Sequence, residues 1–216
     1  MGITAESVKR LREMSGAPMM ECKKALEEAH GDIDQAFTVL RKRGQATAAK
    51  KAGRHAADGA VGAYVHAGGK IGVLVEVNCE TDFVARNEEF QKLVHDLAMQ
   101  ICATDPRFIR KEDVTEEILA REREILDAEA ASSGKPATVV SRIVEGRLSK
   151  FYEETCLYEQ HFIKDTTGNL TVGDLIASKI AKFGENISVR RFARFKVGEG
   201  LGERPQAEPS TETAAA

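Results

Sequence analysis

Cysteine is scarce in this chain, and the pairings that give it chemistry are missing. The four thiols, Cys22, Cys79, Cys102 and Cys156, are scattered, and no two share C-x-x-C spacing. A zinc ribbon or a dithiol redox centre needs that spacing, so neither is expected. Isolated thiols suit a reducing compartment, where they sit buried as small neutral hydrophobes. The five histidines, His30, His55, His66, His95 and His161, are as dispersed, with no H-x-x-x-H or H-E-x-x-H pair to hold a metal. No nucleophile elbow of the G-x-S-x-G kind occurs. Gly68-Gly69-Lys70 invites a phosphate-loop reading but lacks G-x-x-x-x-G-K-S/T and a helix start behind it. The expectation is a protein with no cofactor, no metal ligands, no catalytic residues and no direct nucleotide binding. A catalytic site can still assemble from distant residues, but the positive signals are for contact surfaces, and the expectation is not an enzyme.

An excess of charge is missing too. Lys and Arg number 31 against 34 Asp and Glu, a net charge of -3. A dedicated nucleic-acid binder is usually strongly basic, so no nucleic acid is expected as partner. No apolar run is long enough to cross a bilayer. Met1 to Glu6 lacks the basic and apolar regions of a secretion signal. The same stretch places Glu6 where a myristoylation site wants Ser or Thr. These absences predict a cytoplasmic chain without membrane contact. What is present is 42% apolar and 30% charged residues, which suits a buried core under a helix-rich surface.

Residues 3–44 read as three short helices. Thr4 can cap the first, with Val8, Leu11 and Met14 as its apolar stripe. Gly16-Ala17-Pro18 breaks the pattern, and a second helix runs from Met19 to His30 before Gly31. Asp32 can cap a third, with Ile33, Ala36, Phe37 and Leu40 on one face and Gly44 as its end. So small a bundle is marginal alone, which favours a docking module over a catalytic one. Met19 and Met20 diverge by about 100° on a helix, so at least one is exposed, and the turn reads as a contact surface with Lys23 and Lys24 nearby. The stretch from Arg41 to His55 has no acid and reads as a partly helical basic linker. It suits RNA or an acidic protein patch, but no aromatic is interleaved for base stacking.

Asp58 to Val77 reads as a hairpin turning at Ala67 to Lys70, with Ile71, Val73, Val75 and Val77 in alternation. Gly72 and Leu74 leave the second face partly apolar, so both faces are candidates for cover. Asn87 to Ala103 is the clearest helix, ended by Asp105-Pro106. Asp113 and Glu116 have capping-box spacing for a charged arm over 115–130, broken by Ser132 to Pro136. A further helix, about 136–153, is followed by a short strand and loop over 157–165. Thr171 caps another helix, ended by Gly184. Ile187 to Val197 alternates as a long strand whose Ser188, Arg190, Arg194 and Lys196 face reads as wet and basic but for Phe192. The end of the chain has almost no core-forming residue and reads as a disordered tail.

The stretch everything leads to is Asn78-Cys79-Glu80-Thr81-Asp82-Phe83-Val84-Ala85-Arg86-Asn87, between the hairpin's return strand and the clearest helix. Two readings of Phe83 compete. Seven residues before Phe90, it shares a helical face and packs inward. Alternatively it is a presented wedge with Asp82 beside it, on a loop held by rigid elements.

Four stretches together resemble the elongation factor Ts family, and they span nearly the whole chain to Gly198. They are Gly16 to Leu26, Glu76 to Asn87, Ile143 to Tyr152 and Gly184 to Phe195. The resemblance implies an α+β fold: an N-terminal three-helix ubiquitin-associated-like module, then an α+β core with an antiparallel sheet and packed helices. It divides the chain into a docking module (1–44), a basic linker (45–57), the core (58–198) and the tail (199–216). It implies a guanine-nucleotide exchange factor for the GTPase elongation factor Tu. The module, with Met19, Met20 and Lys23, would grip the partner. The tip, Thr81, Asp82, Phe83 and Val84, would enter the partner and disturb its magnesium and phosphate contacts, which favours the wedge reading of Phe83. Longer members carry a duplicated core; a chain with one copy implies a homodimer. The family's usual Glu-Gln-Pro-Phe is here Glu159-Gln160-His161-Phe162, and loss of that proline predicts a looser loop.

Overall fold

The computed structural model describes residues 3–131, 137–166 and 168–200. Helix α1 (Ala5–Ser15) starts where the Thr4 hydroxyl accepts from Ser7 N, and ends at Gly16 in the left-handed region. Helix α2 (Met19–Glu28) ends just before His30 and Gly31, both with positive φ. Asp32 accepts from Gln35 N at 2.9 Å and starts α3 (Ile33–Lys51). Val8, Leu11, Cys22, Ala25, Leu26, Ala29 and Ala36 close into a small core of their own.

Gly44 does not end α3. The helix runs on to Lys51, because residues 45–51 are mostly Ala, Gln and Lys, which favour helix. Gly44 is buried where α3 crosses α8 (Val172–Phe183), and Gln45 Nε2 donates to Asp174 Oδ1 at 2.8 Å. The first part of the basic linker is thus the far end of a helix that joins the module to the core.

The sheet is β1 (Asp58–Val65), β2 (Ile71–Cys79) and β3 (Ser188–Lys196), antiparallel in that order. After the sheet's second strand come a one-turn helix, α4 (Asp82–Ala85), and α5 (Glu88–Thr104). Helix α5 lays Phe90, Leu93, Val94, Leu97, Ala98 and Ile101 over Val73, Val75 and Val77 to form the main core, which α8 completes with Val172, Ile176 and Ile180. The Cβ that Gly62 lacks would stand 2.4 Å from Val94 Cγ1, so α5 sits directly on the β1 backbone. All four cysteines are free and buried.

Helices α6 (Glu116–Ala131) and α7 (Ala137–Thr155) pack on each other as a hairpin arm. The Thr115 hydroxyl, rather than Asp113, accepts from the first turn, from Ile118 N; the Asp113 carboxylate instead accepts from Arg110 N at 2.8 Å. The arm buries little: Val139 is exposed, and Ile143, Val144, Leu148 and Phe151 are only half-buried. The expected break at Ser132 to Pro136 and the tail beyond Gly200 lie outside the described residues.

Two further expectations change. Residues 157–165 form a 3-10 turn at Leu157–Glu159 and a loop, with only isolated bridges. Polar side chains hold this loop in place of a ladder: Gln100 Nε2 donates to His161 O and Gln100 Oε1 accepts from Ile163 N. It is bonded on both sides without the family's proline. In β3, the register shifts between Glu76 and Val77, with Val77 opposite Val189 and Glu76 opposite Arg191. Arg190 is the extra residue of this bulge, so parity reverses behind it. Phe192 and Arg194 turn inward, Arg194 onto Cys102 O and Asp105, and the face is not the wet basic one expected. The opposite face carries Val61, Val65, Leu74 and Phe195, all exposed.

Candidate functional site

Strand β2 runs out of partners at Cys79: β1 reaches back only to Asp58 opposite it, and β3 starts at Ser188 opposite Asn78. The chain leaves the sheet through Glu80 and Thr81. Thr81 is extended, and its hydroxyl accepts from Val84 N, which starts α4. One turn later Arg86 N donates to Asp82 O and Asn87 N to Val84 O. Asn87 is extended again, and its side chain caps α5 by accepting from Glu89 N at 2.9 Å. Two capped helices therefore meet across Arg86 and the extended Asn87.

Ala85 is buried, and its carbonyl accepts from Gln91 Nε2 at 2.6 Å. Two residues apart on a helix means about 200° apart around it, so anchoring Ala85 inward turns Phe83 outward. Phe83 is 83% exposed, more than any other large apolar side chain described. Val84 packs partly on the main core. Asp82 pairs with Arg86 at 3.1 Å, both exposed, a contact worth on the order of 0–1 kcal/mol that exchanges partners readily. Beneath the turn, burial and the nearby Glu185 charge push the Cys79 thiol up to about 11; it stays protonated and donates to Thr81 O at 3.2 Å.

The second expected surface lies on the small module. Met19 and Met20 open α2, and both are exposed, Met20 by 61%. Lys23, on the same helix, is exposed beside Glu27 at 3.9 Å. These residues lie on α2, whose Cys22, Ala25 and Leu26 belong to the module's own packing cluster, whereas Val84 of the tip packs on the main core. The structure keeps Thr81, Asp82, Phe83 and Val84 together on one turn and places Met19, Met20 and Lys23 on a different unit.

Glu185 was not singled out in the sequence. Its Oε2 accepts from Glu80 N and Thr81 N, both at 3.1 Å, and its Oε1 accepts from the Thr81 hydroxyl at 2.7 Å. The one available signal was an acid directly behind the Gly184 helix end, within a stretch that already carried family resemblance. No group of three or more His, Cys, Asp or Glu that could hold a metal occurs among the described residues. No helix among them is long and apolar enough to cross a membrane.

A helical module with exposed methionines is joined by one long helix to an α+β core that displays an exposed phenylalanine on a capped turn, an arrangement suited to contact with another macromolecule. The sequence pattern of the family described as Elongation factor TS matches residues 5–199. Elongation factor Ts of Koribacter versatilis is similar at 63% identity over 203 residues, covering 94% of this chain and 91% of that protein. Those of Carboxydothermus hydrogenoformans (57% over 204 residues; 94% and 93%) and Geobacter sulfurreducens (55% over 216 residues; 100% and 99%) are similar over comparable spans. The chain belongs to the elongation factor Ts family, the translation elongation factors of that name.

Proposed function

We propose that this chain is the guanine-nucleotide exchange factor of elongation factor Tu, acting in the cytoplasm. It accelerates GDP release by pressing the Thr81 to Val84 tip into the partner while Met19, Met20 and Lys23 hold the complex together. The observation that carries this reading is the exposed Phe83 ring on a turn capped at both ends. An exposed ring has its burial energy still to gain, and a rigid mount directs that gain at the partner.

The coupling is reciprocal: whatever factor this chain takes from the partner's affinity for GDP, GDP takes from the partner's affinity for this chain. The partner then has a state that holds the ring well and the nucleotide poorly. Burying one Phe is worth about 1.5–3 kcal/mol. At about 1.4 kcal/mol per decade, the ring supplies roughly 10–100-fold weakening when it is buried only in that state. Asp82, held only by an exposed pair with Arg86, is free to repel phosphate or draw on magnesium ligands. No nucleotide binds to this chain itself, and no nucleic acid or membrane takes part.

The exposed Val61, Val65, Leu74 and Phe195 face is the surface assigned to pairing of two copies as a homodimer. A two-fold pairing sets each apolar face against its own likeness. The exchange reading is tested by release of a fluorescent GDP analogue from purified elongation factor Tu. Substoichiometric amounts of this chain accelerate release if it holds, and a rate equal to the spontaneous one refutes it.

A further inference from the structure

The tip is braced by residues distant in sequence. Glu80 and Thr81 lie past the last ladder pairs of β2, where their amide hydrogens have no strand to bond. The Glu185 carboxylate takes both amides and the Thr81 hydroxyl as well. The same Thr81 oxygen accepts from Val84 N. Glu185 thus orients the hydroxyl whose lone pair starts α4, the turn that carries Phe83. The brace is mutual: Asn186 N donates to Glu80 Oε1 at 2.6 Å.

The other side of this loop holds the end of α3. Asn186 Nδ2 donates to Arg54 O at 2.9 Å and to Ala52 O at 3.4 Å, and Lys51 Nζ donates to Gly184 O at 2.6 Å. Arg54 Nη1 stands 3.6 Å from Glu80 Oε2 and offsets the second carboxylate of the brace. Three consecutive residues, Gly184, Glu185 and Asn186, therefore hold the tip on one side and the helix from the small module on the other.

We infer that Glu185 is a positioning residue for exchange: it fixes the pose of the Thr81 to Val84 tip and, through its loop, sets that pose against α3, the helix that joins the docking module to the core. This rests on the exchange reading above. The residue touches neither nucleotide nor partner in this account. Its effect belongs in the maximal rate, where the pose of the ring matters, and not in the affinity supplied by Met19, Met20 and Lys23.

The test is steady-state GDP exchange on elongation factor Tu by the full chain and by Glu185→Ala, Glu185→Gln and Phe83→Ala, with a thermal melt of each. Glu185→Ala removes both acceptor oxygens and all three hydrogen bonds, and kcat is expected to fall roughly tenfold with KM for the GDP complex within about twofold. Glu185→Gln keeps an oxygen for the two amides but meets the Thr81 hydroxyl with an NH2 group, so a smaller fall, about two- to fivefold, is expected. The order wild type, Gln, Ala in kcat at constant KM supports the inference. If wild type exchanges and Phe83→Ala is impaired, but both Glu185 variants match wild type in kcat or lose only through KM, the inference is overturned and the exchange reading stands. If wild type itself does not exchange, the exchange reading fails, and the inference with it. Should Glu185→Ala not fold, the near-isosteric Gln variant decides: a reduced kcat at unchanged KM and melting temperature supports, and a wild-type kcat overturns.

Discussion

Glu76 accepts from Arg190 at 2.8 Å and from Arg191 at 2.6 Å, and those bonds hold its carboxyl at about 2, against 4.5 ordinarily. Lysine contacts likewise lower Glu89, chiefly through Lys182. At Asp96 burial pushes upward, but bonds from Lys164 and Lys92 outweigh it and the net shift is down. A depressed carboxyl stabilises the fold above its unfolded pKa and loses that contribution as pH falls towards its folded pKa. Melting temperature is therefore expected to stay level from pH 7 to about 5 and to drop between about 4.5 and 2. In Glu76→Gln part of that drop is missing; a pH profile identical to wild type's would remove Glu76 from the account. At the docking surface, Met20→Ala is expected to raise KM for the partner about tenfold at unchanged kcat, from the lost apolar contact. A Met20→Ala protein with wild-type KM would place docking elsewhere. The residues of the tip and of the Met19-Met20 turn were legible as contact candidates. The inward reading of Phe83 failed because Asn87 is extended and restarts the helix, so periodicity counted from Phe90 does not reach back across it. Glu185 was illegible because it lies 104 residues from Thr81, and the ends of a ladder cannot be read from one strand.

Glycine has opposite meanings in two elements. In α3, a Cβ on Gly44 would lie 3.7 Å from the Ala177 backbone, an ordinary contact. Gly44→Ala is expected to stabilise by up to about 1 kcal/mol through helix propensity. In β1, a Cβ on Gly62 would drive into Val94 Cγ1, and Gly62→Ala is expected to destabilise by about 1–3 kcal/mol. Urea unfolding of the pair checks both signs, and equal effects would contradict the packing described for α5 and α8. A glycine after an apolar stripe usually ends a helix, which is why Gly44 looks like a stop; a helix crossing uses the same residue for another purpose. The bulge in β3 escaped for a related reason. Strict alternation from Ile187 to Val197 assigns one face throughout, and an inserted residue that reverses it leaves no mark in the pattern.

At the scale of the molecule, strongly periodic segments were legible: the hairpin, α5, α8 and the starts of the three N-terminal helices stand where periodicity and caps put them, while α3 runs past Gly44 to Lys51. The side of the sheet without helices was legible only as partly apolar. In a single chain it stays bare, with Phe195 70% exposed at its edge strand. The proposed pairing predicts a solution mass twice that of one chain, and a Phe195→Glu variant that sediments as a monomer with its melting transition retained. A monomeric wild type at micromolar concentration would leave that face without its assigned occupant. Among the described residues of the α6–α7 arm and the braced tip, the most exposed ring is Phe83.

Release of fluorescent GDP from elongation factor Tu under saturating wild type or Phe83→Ala, with the affinity of each for the GDP-bound partner measured alongside, bears most directly on the wedge. The account predicts a maximal release rate roughly 10–100-fold lower for Phe83→Ala, with docking through the helical module largely kept. Equal maximal rates for the two proteins would contradict it.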